Sequence, residues 1–201
     1  MMSTAITEVS AAPGPKIYVD PVSATISALG ENTTVTIKCE NVVNYYGADF
    51  WLRYNGSVVD PVEVTVDGPG QVAPPPGPQR ALSVSIVSNT VRFSCMFVYA
   101  EGAADFDGNG TVAWITFEGI TEGNSTLNFD LAWTAMYEIN YGTTPPTLSE
   151  MTIDPPEDGE IIVIPEFPAV MVVTLLLIAT LAAASLGKIV WSRKRRGPVT
   201  A

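Results

Sequence analysis

The chain has 201 residues, 21 acidic and ten basic side chains, two cysteines and no histidine. Without histidine it holds no His-based triad, no His-ligated zinc and no imidazole pH switch of its own. A net charge of −11 repels nucleic acid and anionic lipid, so neither is an expected ligand.

The charge is unevenly placed. All 21 acidic residues lie at or before Glu166, against five basic ones there: Lys16, Lys38, Arg53, Arg80 and Arg92. That part carries −16, while Lys188, Arg193, Lys194, Arg195 and Arg196 make the end +5. Between them runs Phe167–Gly187, 21 residues without a charge. At about 1.5 Å per residue it crosses a hydrocarbon core of about 30 Å. The basic cluster beyond it marks the cytoplasmic side. The expected layout is an N-terminal segment over 1–15, an extracellular domain over 16–164, a single transmembrane helix with its preceding motif over 165–191, and a cytoplasmic tail over 192–201. The protein is thus expected at the cell membrane, crossing it once.

Export calls for a leader, yet Met1–Ala12 has neither a basic n-region nor a long apolar core. Val9-Ser10-Ala11-Ala12 does resemble a small-residue cleavage site. Either a signal peptide is mostly missing, or the C-terminal span itself directs insertion.

From Lys16 onward the pattern is strands and turns. Lys16–Asp20 is a short strand stopped by Pro21. Thr33–Glu40 alternates, with Val35, Ile37 and Cys39 on one face. Ala48–Tyr54 puts Phe50, Leu52 and Tyr54 on one face and Asp49, Trp51 and Arg53 on the other. Val62, Val64 and Val66 alternate with Glu63 and Thr65. Gly68–Pro78 is too rich in proline for a central strand and reads as a stiff loop. Ala81–Val87 is expected to turn Leu82, Val84 and Ile86 inward, and Val91–Tyr99 to carry Val91, Phe93, Cys95, Phe97 and Tyr99 on one face. Thr111–Phe117 is apolar on both sides, as a central strand would be. Leu127, Phe129 and Leu131 form another inward row. Tyr141–Pro156 is turn-rich, and Gly159–Ile164 closes the set. Eight or nine half-buried strands predict an all-β, two-sheet antiparallel sandwich.

Cys39 and Cys95 both fall on apolar strand faces. Outside the cell their default state is a disulfide, the alternative being two buried free thiols. Closing a loop of about 55 residues would add roughly 4 kcal/mol in the chain-entropy account.

Two stretches resemble cohesin domains. Ala48–Val64 (ADFWLRYNGSVVDPVEV) resembles the family's strand ending in Tyr, turn and following valine-rich strand. Phe106–Phe129 (FDGNGTVAWITFEGITEGNSTLNF) resembles its Gly-x-Gly-Thr stretch, Ala-x-Ile-x-Phe strand and Leu-x-Phe strand. Ile17–Val42 and Asp158–Val163 fit the first and last strands. The resemblance implies a nine-stranded jelly-roll sandwich without enzymatic activity, which binds a dockerin module through one sheet face. Pro74–Pro78 and a disulfide are not hallmarks of that family. Separately, Ile164-Pro165-Glu166-Phe167-Pro168, the apolar run and the basic cluster resemble the sorting tails of archaeal surface proteins. Such a tail is cut near the Pro-Glu-Phe motif and replaced by a lipid; a plain anchor is the alternative.

Asp105, Asp107 and Asn109 stand at alternate positions, as oxygen ligands of calcium do, although the Glu that closes an EF-hand is absent: position 12 of such a loop is Thr116. A glycine-rich turn explains the same residues, so no cofactor is expected beyond a weak calcium site. Sequons begin at Asn32, Asn55, Asn109 and Asn124, all expected in turns. The aromatics that face away from the apolar rows are Trp51, Trp114, Trp133 and the Tyr45-Tyr46 pair. Trp51 and Trp114 are candidates to anchor a ligand, either by stacking on sugar or by gripping a protein. The expected function is a membrane-anchored surface module for protein adhesion or scaffolding. A module that gathers surface polysaccharide, or an envelope component without a ligand, is the alternative.

Overall fold

The structure is a computed structural model that describes residues 13–72, 80–97, 106–164, 174 and 176–181. The chain divides into two compact units, Met1–Ile164 and Pro165–Ala201. In the second unit, 176–181 are helical. No helix among the described residues is long and apolar enough to cross a membrane. Most of the expected span, the basic tail, Pro74–Pro78 and Asp105 lie outside the described residues.

The first unit is all β. Its strands are β1 (Lys16–Asp20), β2 (Ser23–Ile26), β3 (Asn32–Arg53), β4 (Val59–Thr65), β5 (Arg80–Val87) and β6 (Thr90–Phe97). They continue with β7 (Phe106–Gly119), β8 (Gly123–Phe129), β9 (Ala135–Asn140), β10 (Thr147–Glu150) and β11 (Gly159–Val163). One 3-10 turn, Leu131–Trp133, stands between β8 and β9.

The strand that organises the sandwich is β3. It runs through 22 residues and joins the two segments expected as separate strands. Its first half pairs with β1 and β7, and its second half with β6 and β9. The register against β7 shifts at Ile37/Lys38, Cys39/Val42 and Val42/Tyr45. Asn41 and Asn44 sit there at φ 56° and 52°. Asparagine enters this left-handed region more readily than most side chains, so the strand bends at those two positions. The bend carries β3 from the β1-β3-β7-β4 layer into the β5-β6-β3-β9-β10 layer. β8, β11 and β2 form a further ribbon, in which β11 runs parallel to β2. That parallel pair departs from the wholly antiparallel expectation.

The inward rows meet as expected through most of the unit. Phe50 stacks on Phe93 with centroids 4.5 Å apart, and Phe129 meets Phe50 edge-on at 6.0 Å. Tyr54 closes on Phe117 at 5.7 Å. Each such ring contributes about 1.5–3 kcal/mol by leaving water. Tyr45 belongs to this core and is fully buried, while its neighbour Tyr46 is half-buried.

Three inward assignments differ. Leu131 lies in the 3-10 turn and is exposed, because the strand ends at Phe129. Val62 is exposed, since β4 shifts register between Pro61 and Glu63 and the alternation changes face there. Leu82, Val84 and Ile86 do face the core side, across from Cys95, Phe93 and Val91. Yet they remain 41%, 37% and 44% exposed, because β5 is an edge strand.

Cys39 and Cys95 are free, buried thiols instead of the expected disulfide. Cys39 pairs with Ile17 and Gly110, whereas Cys95 pairs with Ala48, nine positions further along β3. The bend of β3 thus lies between their attachment points. Burial pushes the Cys39 thiol up to about 12 and the Cys95 thiol up to about 11.

Candidate functional site

The candidate site is the outer face of the β5-β6-β3-β9-β10 layer. Strand alternation sends Asp49, Trp51 and Arg53 outward from β3, because Phe50 and Leu52 are taken by the core. On β6 the same alternation sends out Arg92 and Ser94, which lie across from Trp51 and Asp49. Ser83 and Ser85 of β5, Ala135 and Tyr137 of β9, and Glu150 of β10 complete the floor of an open groove of about 590 Å³.

The 3-10 turn supplies the rest of the rim. Asp130 fixes it three ways: its N–H donates to the Trp51 carbonyl at 2.8 Å, its Oδ1 accepts from Ala132 N at 3.2 Å, and its Oδ2 accepts from Arg53 Nε at 3.2 Å. The Arg53 guanidinium beside it holds the Asp130 carboxyl below the usual carboxylate range. The turn so held lays Trp133 flat on Trp51, with centroids 4.6 Å apart and planes 11° apart. The Arg92 guanidinium sits over the Trp51 ring at 4.2 Å. Trp133 remains 56% exposed.

Two polar atoms in this groove have no partner. They are Asp49 Oδ1 and Arg92 Nε, the only buried side-chain polar atoms without a hydrogen bond among the described residues. The other Asp49 oxygen accepts from the Tyr137 hydroxyl at 3.2 Å. An acceptor and a donor thus stand unused beside an aromatic stack. Buried polar groups are nearly always satisfied; here Asp49 Oδ1 can still accept a hydrogen bond and Arg92 Nε can still donate one.

The structure separates the two tryptophans singled out in the sequence. Trp51 is at the centre of the groove. Trp114 is on β7, across from Thr36 and Thr65 in the other layer. It is half-buried beneath the turn at Gly68, where an added Cβ would lie 2.6 Å from its Cζ2. There its ring packs against that turn. In the sequence Trp133 is odd-facing and no period joins it to Trp51; Asp130 two residues before Ala132 is an Asx-type signal for the turn that joins them.

The oxygen side chains at the start of β7 serve β3. Asp107 Oδ1 accepts the N–H of Asn44 at 2.7 Å, and Asn109 Oδ1 accepts the N–H of Asn41 at 2.8 Å. They satisfy the main chain where the bend leaves it without a regular partner. No group of three or more acidic or cysteine side chains able to hold a metal occurs among the described residues. Of the sequons, Asn55 is in a turn, where its Oδ1 accepts from Ser57 Oγ at 2.7 Å. Asn32, Asn109 and Asn124 lie in strands instead, each exposed.

No protein-family model matches the chain, and no curated protein matches it in sequence. Solved structures do match the fold. A type I cohesin from Pseudobacteroides cellulosolvens superposes with a TM-score of 0.59 at 18% identity, over 78% of this chain and 96% of that one. A non-cellulosomal cohesin from the archaeon Archaeoglobus fulgidus gives 0.55 at 12% identity, over 78% and 95%. A type I cohesin–dockerin complex from Clostridium thermocellum gives 0.58 at 16% identity, over 75% and 99%. The all-β unit of this chain therefore has the fold of cohesin domains.

Proposed function

We propose that the chain is a cell-surface module that captures a dockerin-like protein through the outer face of the β5-β6-β3-β9-β10 layer. Phe167–Gly187 anchors it in the membrane with the sandwich outside. The observation that carries this reading is the Arg92–Trp51–Trp133 stack beside the unpartnered Asp49 Oδ1 and Arg92 Nε. Exposed aromatics and arginine at the centre of a concave face are the chemistry of protein hot spots. The cohesin fold supports the same partner class.

A protein suits this face better than a polysaccharide. Sugar stacking needs open rings, and Trp51 already has Trp133 stacked on it and Arg92 over it, which leaves Trp133 as the one ring of the stack open to solvent. The test presents the full chain with type I and type II dockerin modules and, in parallel, with a glycan array. The expected result is dockerin binding weakened about tenfold or more by Trp133→Ala and by Arg92→Ala, with melting unchanged. Glycan signal without dockerin binding would instead select polysaccharide, and silence in both arms refutes a ligand-binding face. Protease added to intact cells reads the anchoring separately: it should release the sandwich.

A further inference from the structure

We propose that two copies of this chain associate by antiparallel pairing of β5 with β5, joining their outer layers into one sheet. This goes beyond dockerin capture and does not depend on it.

Among the described residues β1, β2, β4, β5 and β10 each pair with one strand only, and the free side of β1 is taken by main-chain hydrogen bonds with Glu157, which leaves β2, β4, β5 and β10 as open edges. Natural proteins blunt such edges with short strands, charges, prolines or bulges. β2 and β10 are four residues long, and β10 ends in Glu150. β4 carries Asp60, Pro61, Glu63 and a register shift. β5 has one of these devices, the charge of Arg80 at its first position, and that guanidinium is paired with Asp67. It keeps an unbroken eight-residue register with β6, and between Ala81 and Val87 it has no charge and no proline. Every residue in that stretch is exposed.

The occupant follows from the order of residues. Ala81–Val87 reads A-L-S-V-S-I-V, which is symmetric in character about Val84. A two-fold axis through Val84 sets Leu82 against Ile86 of the second copy and Val84 against itself. On the other face it sets Ser83 against Ser85 and Ala81 against Val87. Apolar meets apolar and hydroxyl meets hydroxyl at every step, as an isologous contact requires. The open apolar row of Leu82, Val84 and Ile86 is thereby continued by the same row of its copy. No acidic residue meets its own copy along this seam, although the chain carries 21 of them. The pairing also leaves both grooves on one side of the joined sheet, since Ser83 and Ser85 line them.

Sedimentation equilibrium of the full chain in detergent micelles tests the proposal. The wild type should be a reversible dimer at about 0.2 mM, more so at ~0.5 M than at ~0.05 M salt, because the two acidic bodies repel at low ionic strength. Val84→Lys alone and Val84→Glu alone should each weaken association about tenfold, since like charges then face each other across the axis. An equimolar mixture of the two variants should recover it. Val84→Cys should cross-link to itself with a short bismaleimide, and Val87→Cys should not, which reads the register without adding charge. A wild type that stays monomeric overturns the proposal and leaves the edge to a different extended chain. A dimer that Val84→Lys does not weaken, or a mixture that does not recover, overturns it as well.

Discussion

The Asp130 carboxylate and the Arg53 guanidinium meet at the foot of the 3-10 turn, and this pair decides where Trp133 stands. The turn has no buried residue of its own to hold it. Asp130→Ala should therefore free Trp133 from Trp51 while the sandwich stays folded. Losing the cap should destabilise the turn. Acrylamide quenching of tryptophan emission should rise, and Asp130→Asn, which keeps the cap acceptor, should show a smaller rise.

Acid should weaken the unit through two carboxylates. Arg53 lowers the pKa of Asp130, and Arg80 lowers that of Asp67. A lowered native pKa means that the unfolded chain takes up protons first, so the contribution is full above 3.8 and is lost as pH falls below it. Asp67 is exposed, and Asp130 is half-buried but paired with an exposed Arg53, so the loss is modest and salt-sensitive. Urea melts at pH 5 and at about pH 3 should differ less in Arg53→Gln than in the wild type.

The thiols should be silent in the native state. Ellman's reagent should find none until denaturant is added, and then both Cys39 and Cys95. Alkali works in the opposite sense to acid. The native thiols titrate near 12 and 11 against 9.0 when exposed, so their contribution holds below 9 and fades as pH rises through that window. Tyr45, also raised by burial, adds to the loss above 10. Cys95→Ala should flatten the slope of stability against pH between about 9 and 11.

Asp107 and Asn109 should matter to stability through β3. Asp107→Ala leaves the Asn44 N–H without its acceptor and should cost about 1 kcal/mol, with Asn109→Ala similar. Differential scanning calorimetry checks both. With these oxygens turned to the main chain, chelator should leave the wild-type melting temperature unchanged, and a rise with millimolar calcium would show that the loop also holds the ion.

Much of the sandwich was legible because alternation is a local signal. Val35/Ile37/Cys39 and Phe50/Leu52 mark their inward faces without help from the rest of the chain. What alternation cannot show is how far a sheet extends over its neighbour. Leu82, Val84 and Ile86 have the pattern of a buried row and point the right way, yet nothing described covers them. The continuity of β3 was hidden for a related reason: Asn41 and Asn44 look like turn residues, and they do turn the chain, but within a strand that goes on pairing. β2, β9 and β10 do not show as separate strands in the sequence, β10 lying inside the turn-rich Tyr141–Pro156, since four to six residues carry too little pattern. In the candidate site, Trp51 could be placed on an outward face from sequence. Its stacking on Trp133, 82 positions away, depends on a turn set by Asp130, and no period in the sequence reports that.

Because one continuous ribbon passes from the first layer into the second, neither layer can peel away and leave the other intact. A pull on either end of β3 is felt by both. Spectroscopic probes in Phe50 and in Trp114, on different layers, should report the same single unfolding transition, with the unit yielding all at once rather than sheet by sheet.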